Sequence, residues 1–167
     1  MNFRNYRSDD QSACLAVFDS NTPPFFDIKE RTDFETFLEK QAHPFLVVEN
    51  EMGQIIACGG FAFKREIAIA KLRWGMVMPT CQRQGVGRFL LLTRLSQLYE
   101  DPTLIAIRVD TSQHTYGFYE KFGFVRYDYL ENGITPGLHL YRMELKLDAQ
   151  QHAKIAESWA RAKINAA

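Results

Sequence analysis

At Pro79 the spacing of apolar residues changes from a strand-like run to a helical one, and a turn with two glycines fills the changeover. Upstream, residues 67–78 form a β-rich run. Downstream, Val86, Phe89, Leu90, Leu92, Leu95, Leu98 and Tyr99 recur at helical spacing. Between them stands Gln82-Arg83-Gln84-Gly85-Val86-Gly87-Arg88. Without a Cβ at Gly85 and Gly87, backbone N–H groups can converge on one point. A helix that starts there adds its own unpaired N–H groups and the positive end of its dipole. Such a strand–turn–helix is a pyrophosphate cradle, with Arg83 and Arg88 as local positive charge. No Gly-Lys-Ser/Thr follows, so the turn is not a P-loop. Leu90 stands where a dinucleotide fold needs its third glycine.

The rest of the composition narrows the partners. Twenty basic side chains balance twenty acidic ones, so no global field draws the chain to nucleic acid or to an anionic membrane. With 46% apolar and 24% charged residues, a chain of 167 is expected to make one packed domain. Cys14, Cys58 and Cys81 are odd in number and widely spaced, which fits neither a disulfide framework nor a metal site. Reduced thiols in a cytoplasmic protein are the expectation. No apolar run approaches the roughly 20 residues that span a bilayer. Residues 1–10 mix polar, charged and aromatic side chains and do not read as a signal peptide.

Hydrophobic patterning predicts the order β-α-α-β-β-β-α-β-α-β-β-α, a mixed α+β sheet with helices on its faces. Residues 3–7 are the first strand, and Ser8 is expected to cap the first helix, which the Pro23-Pro24 pair ends. Thr32 is the expected cap of a second helix reaching Gln41. Strands follow at 45–49, 54–63 and 67–78, joined closely and therefore antiparallel. After the helix from Gly85 come a strand at 104–109, a helix at 113–122, and strands at 124–130 and 138–147. Their hairpin is expected around Asn132-Gly133 and Pro136-Gly137. Residues 1–147 read as the domain and 148–167 as a C-terminal helical extension.

Gln82-x-x-Gly85-x-Gly87 after Val77-Met78-Pro79 resembles the acetyl-CoA-binding motif of the GNAT N-acetyltransferases. Some thirty residues on, Tyr119-Glu120-Lys121-Phe122-Gly123-Phe124 is similar to the family's second signature. Two motifs in order, each on the right element, are far more specific than either alone. The resemblance implies the GNAT fold: a mostly antiparallel sheet of about seven strands in which the parallel fourth and fifth splay apart beside the cofactor. It implies that backbone groups of Met76 and Val77 bind the pantetheine arm as an added strand would. The N–H groups of Gln82, Arg83, Gln84, Gly85, Val86, Gly87 and Arg88 are then expected to hold the pyrophosphate of acetyl-CoA. Ser112 stands where the family often has an asparagine that touches the pantetheine; its hydroxyl could bond there or cap the helix. Tyr119 matches the tyrosine that protonates the leaving thiolate, a task suited to a phenol, which is protonated at neutral pH.

The acceptor side is less legible. The resemblance implies transfer of acetyl to a primary amine, small-molecule or peptide, and leaves a homodimer open. Direct transfer calls for no metal. A carboxylate is the usual route for the amine proton. Glu66 is the one acid at the fourth strand and is the candidate base, with Asp27 and Asp110 behind it. His43 and His139 flank strands with no Ser or Cys partner, and His114 sits in the first turn of the helix that leads to Tyr119. Phe25, Phe26, Arg73, Trp74, Tyr129 and Tyr141 form a shortlist for the acceptor cleft. The alternative reading is a module that binds acyl-CoA without catalysis.

Overall fold

The computed structural model describes residues 1–40 and 44–166, so Gln41 and His43 lie outside the described residues. Its strands are β1 (Asn2–Asn5), β2 (Phe45–Glu49), β3 (Ile55–Lys64), β4 (Ile69–Val77), β5 (Ala106–Thr111), β6 (Val125–Thr135) and β7 (Leu138–Lys146). Its helices are α1 (Gln11–Ser20), α2 (Arg31–Lys40), α3 (Val86–Leu98), α4 (Tyr116–Glu120) and α5 (Ala149–Ala166). The strands form one sheet in the order β1-β2-β3-β4-β5-β7-β6. Only β4 and β5 run parallel; every other neighbouring pair is antiparallel. The mixed α+β sheet with a parallel central pair and helices on both faces is therefore as expected.

Two cores flank the sheet. On one face Cys14, Val17 and Phe18 of α1 and Phe34 and Leu38 of α2 pack on Val47, Cys58 and Met76. On the other, Leu91, Leu95 and Leu98 of α3 pack with Ala70, Leu72, Ile107, Val109, Met143 and Leu145, and with Tyr119 of α4 and Ile155 of α5. Trp159 of α5 closes against Phe3 and Phe89 in edge-on and tilted ring contacts. The extension thus covers α3 and the edge at β1.

One irregularity organises the sheet. Gly60 pairs with Arg73 and Cys58 with Met76, so three steps on β4 match two on β3. The extra residue is a bulge at Trp74–Gly75, where Trp74 has a left-handed φ of 50°. Because side chains alternate along a strand, one added residue turns those that follow to the other face. Accordingly Ala70 and Leu72 belong to the α3 core, whereas Trp74 and Met76 belong to the α1–α2 core. Trp74 lands among Phe18, Phe26, Phe34 and Phe37, with ring centroids 5.0–6.3 Å away.

Helix starts differ from expectation. Ser8 opens a 3-10 turn, Ser8–Asp10, and α1 begins only at Gln11. Asp10 stands at the N-cap of α1, and its carboxylate reaches back to accept the Arg7 N–H at 2.7 Å and the Arg4 guanidinium at 2.7 and 2.9 Å. A carboxylate paired with arginine is a strong acceptor, and here it closes the 3-10 turn onto Arg7. Likewise Asp27 and Glu30, not Thr32, form the reciprocal cap ahead of α2. The closing hairpin turns at Pro136-Gly137, and just before it β6 is irregular: Asn132 has a left-handed φ of 53°, and the register with β7 shifts between Leu130 and Thr135.

The Arg4 guanidinium, the largest influence, and the Arg7 N–H hold the Asp10 carboxyl below its usual range. A folded-state pKa that is depressed adds stability above the unfolded value of about 4 and loses it as pH falls through the lower one. Asp10→Asn is therefore expected to cost about 1–3 kcal/mol at neutral pH and less in acid. Urea unfolding of both proteins at pH 7 and pH 3 measures this, and an equal cost at both pH values would refute the pairing.

Candidate functional site

The parallel pairing of β4 and β5 covers only Ile69–Leu72 against Ala106–Val109. Beyond it β4 continues along β3 to Val77, and β5 continues along β7 to Thr111. The two strands part at the bulge. The Met78 N–H donates to the Ile56 carbonyl at 2.8 Å, which makes that pair a hydrogen-bonded one. By alternation Met76 turns its backbone groups to β3, and Val77 turns its own toward the parting. Of the two residues expected there, Val77 alone presents a backbone edge. Its carbonyl accepts from the Nδ2 of buried Asn21 at 3.1 Å and from Gln82 Nε2 at 3.2 Å.

Gln82 thus serves as a brace: its side chain also reaches Asn21 Oδ1 at 3.3 Å, tying the turn to the end of α1. Gln84 Nε2 donates to the Thr80 carbonyl at 2.8 Å. Arg83 has φ 60° and Gly85 φ 86°, two left-handed residues that aim the chain into α3. Nothing lies within 4 Å of a Cβ built on Gly85, so conformation and not crowding demands glycine there. At Gly87 a Cβ would meet Val77 and Phe118 at ordinary distances of 3.6–3.9 Å, in the angle between the parted strands and α4. The first N–H groups of α3, from Val86 to Arg88, have no partner within the helix. Arg83, Gln84 and Arg88 are exposed around the turn, and Arg88 lies 5.7 Å over the Phe122 ring. A phosphate-bearing ligand fits this cradle. Cys81, beside the turn, is half-buried: it packs against the cluster of Val86, Phe89 and Leu90, with its sulfur 3.8 Å from the Thr80 hydroxyl.

Tyr119 is held by the way α4 ends. The Phe124 N–H donates to the Tyr119 carbonyl and the Gly123 N–H to the Glu120 carbonyl, with Gly123 at φ 89°. This is a Schellman closure, whose hydrophobic contact is the edge-on pair Tyr119–Phe124 at 5.4 Å. Gln151 of α5 donates to the Phe122 carbonyl at 2.8 Å and finishes the cap. Tyr119 is only 8% exposed. Ser112, buried at the end of β5, spends its hydroxyl on the His114 N–H at 3.4 Å while its carbonyl starts α4. The residue at the N-cap of α4 is Thr115.

One side chain that the sequence patterning does not single out completes the centre. Arg94 of α3 is 2% exposed. Its Nε donates to the Leu90 carbonyl at 3.2 Å, and its Nη1 has no partner. The guanidinium lies against Gly59 and Gly75: a Cβ on either would come within 3.0–3.1 Å of Nη1. Burial pulls its pKa below the arginine range, while the neighbouring Tyr119 phenol favours the charged form. Two signals of it exist in the chain: a charge within the apolar stripe Leu91, Leu95, Leu98, and glycines inside strands.

The acids fall elsewhere. Glu66 is exposed on the 3-10 turn Arg65–Ile67 that precedes β4. From Ile69 to Trp74 the strand alone advances about 16 Å, so Glu66 and the bulge sit at opposite ends of β4. Asp110 is paired with Lys71 at 2.6 Å. Asp27 is held below the carboxylate range by the Lys29 N–H and then by the Thr135 hydroxyl, which brings the α1–α2 loop to the β6–β7 hairpin. Glu30, on the same loop, is pushed up by burial. Phe25 meets His114 edge-on at 5.9 Å, and Tyr141 stacks on Tyr116 at 4.5 Å and touches Tyr129 at 5.0 Å. His139 accepts the Asn132 N–H at 3.0 Å. Arg73 is exposed and has no ion-pair partner among the described residues. Among the described residues no group of His, Cys, Asp and Glu is placed to hold a metal ion, and no helix is long and apolar enough to cross a membrane.

Comparisons with known proteins bear on the family and the fold. The sequence model of the family described as "Acetyltransferase (GNAT) domain" matches residues 18–147. No curated protein matches the sequence. A structure from Desulfovibrio desulfuricans assigned to the GNAT acetyltransferases superposes with a TM-score of 0.74 at 19% identity, covering 87% of this chain and 98% of that one. A ribosomal-protein-alanine N-acetyltransferase from Brucella melitensis gives 0.68 at 21% identity, over 88% and 100%. A spermidine N-acetyltransferase variant from Vibrio cholerae gives 0.69 at 19%, over 87% and 92%. At these identities the likeness concerns the fold.

The cap that holds Tyr119 can be probed by a pair of variants. Gly123→Ala forces a left-handed alanine and is expected to cost about 1–2 kcal/mol. Gly117→Ala, within α4 and with nothing nearer than 4.0 Å, is expected to be neutral or to gain up to about 1 kcal/mol. Thermal melts of the two should shift in opposite directions or, at the least, only the first should fall.

Proposed function

Because the chain belongs to the GNAT acetyltransferase family, we propose that it moves the acetyl group of acetyl-CoA directly to a primary amine. The observation that carries this is the meeting of three features at one place: the parting of β4 and β5, the glycine turn and the buried Tyr119. In this reading the N–H groups from Arg83 to Arg88 hold the pyrophosphate, with Gln82 bracing the turn from behind. The pantetheine arm enters between β4 and β5 and pairs with the Val77 edge, while Met76 stays bound to β3. An N–H of the bulge at Trp74–Gly75 polarises the thioester carbonyl. Tyr119 gives its proton to the departing sulfur.

The acceptor amine approaches from the side where the α1–α2 loop meets the β6–β7 hairpin, past Phe25, His114 and Tyr141. Glu66 stays outside this arrangement, so the amine proton leaves through water or through an acid of that loop. Asp27 and Glu30 are the nearest by chain position. Ser112, whose hydroxyl meets the His114 N–H, supports the wall rather than the ligand. The relatives described above act, by their names, on different amines, so the acceptor is to be found by experiment. Cytoplasmic residence belongs to the same proposal, which leaves a homodimer open.

Acetyl-CoA is expected to raise the melting temperature, where ATP at the same concentration does not. Thiol release across a panel of α-amines, lysine peptides and polyamines then reads catalysis; binding without release by any of them would leave a non-catalytic acyl-CoA module.

Gly87→Ala separates folding from binding. Alanine is the better helix former by about 1 kcal/mol, and its methyl has room in the free protein. Stability should hold or rise while affinity for acetyl-CoA, measured by calorimetry, falls tenfold or more. Unchanged affinity would remove the turn from the ligand. Tyr119→Phe should lower kcat about a hundredfold with little change in the KM for acetyl-CoA.

A further inference from the structure

A fully buried arginine with an unpartnered Nη1 is costly, since an unpaired charge away from water is among the least favourable things a core can hold. Here the fold makes specific room for it. Gly59 faces Gly75 across the β3–β4 pair, and the two missing side chains leave the hollow in which the guanidinium lies. Gly75 is itself half of the bulge at which β4 leaves β5. On the other side Tyr119 shares a buried cluster with Leu91 and Leu95, which flank Arg94 along α3, and its phenol favours the charged guanidinium. The cation therefore lies beneath the bulge and beside the phenol.

Building on the acetyl-transfer reading, we infer that Arg94 is a positioning residue for the leaving step, holding the Tyr119 phenol oxygen and offsetting the negative charge it acquires. As the C–S bond breaks, the electron pair goes to the CoA sulfur, and the Tyr119 Oη proton moves to that sulfur. The phenolate left behind faces Arg94, whose positive charge stabilises it in a medium of low dielectric. The proton lost by the amine nitrogen then restores the phenol through water, so the sum is thioester plus amine to thiol plus amide. A cation placed there serves the products of the proton transfer and not the resting state. This accounts for a buried charge that stability alone would not keep.

Stability and turnover should respond in opposite senses. Arg94→Met replaces the cation by an apolar chain of similar reach, so the melting temperature should hold or rise. Meanwhile kcat for the best amine of the panel should fall at least tenfold, with the KM for acetyl-CoA within about threefold. Arg94→Lys, which keeps the charge, should recover part of the loss. In the Tyr119→Phe background, Arg94→Met should cost little more. An equal cost in both backgrounds would assign Arg94 to the scaffold and overturn the inference. Tyr119→Phe without effect on kcat would instead refute the acid itself, a failure of the parent reading.

A readout independent of turnover is the 15N–1H resonance of the Arg94 Nε, sheltered by its bond to Leu90 and identified by its loss in Arg94→Lys. It should move in Tyr119→Phe; a resonance indifferent to that change would sink the inference whatever the acceptor.

Discussion

One extra residue in β4 carries much of this architecture. A regular β4 would go on pairing with β5 and keep one set of side chains on each face. The bulge at Trp74–Gly75 ends that pairing after Leu72 and carries β4 away along β3 alone. It also exchanges faces, so that Trp74 joins the aromatic side chains of α1 and α2 while Ala70 and Leu72 remain under α3. A left-handed tryptophan is an unfavourable conformation, and it persists because Phe18, Phe26, Phe34 and Phe37 pack around the ring. Strain in the backbone is thus held by packing, and the parted strands are the result.

Around that opening, the ends of helices do the positioning. α3 begins at the turn and points its free N–H groups toward it, while α4 ends in a Schellman closure that sets Tyr119 against Phe124. The C-terminal helix takes part as well. Gln151 completes the α4 cap, and Trp159 packs the outer side of α3 against β1. Residues far from the opening therefore fix the orientation of groups within it. Arg94 depends on all of this, since it needs α3 at close range, glycine on both facing strands and Tyr119 at the end of α4.

Local chemistry makes several features legible in the amino-acid order alone. The change of period at Pro79, the two glycines and the Tyr119-to-Phe124 ending each follow from what a few consecutive residues can do. Helix starts are less legible, because Ser8 and Thr32 are good caps in isolation but compete with carboxylates nearby. Asp10, held by Arg4 on another element, closes a 3-10 turn that delays α1 to Gln11, and Asp27 prevails through its reciprocal bond with Glu30. The hairpin offers two turn signals and uses both: Pro136-Gly137 makes the turn, and left-handed Asn132 sits where the β6–β7 register shifts.

By itself, then, the amino-acid order determined the element sequence, the anion-ready turn and the tyrosine at the close of α4, since these rest on backbone freedom and periodicity within short windows. Tertiary structure decided which of Met76 and Val77 turns its backbone outward, how far Glu66 lies from the bulge, and that a lone arginine in an apolar stripe would be enclosed beside Tyr119. Those outcomes depend on a one-residue slip in strand register and on contacts between segments tens of residues apart. No local pattern encodes a register, because the same alternation is compatible with either face until the partner strand chooses.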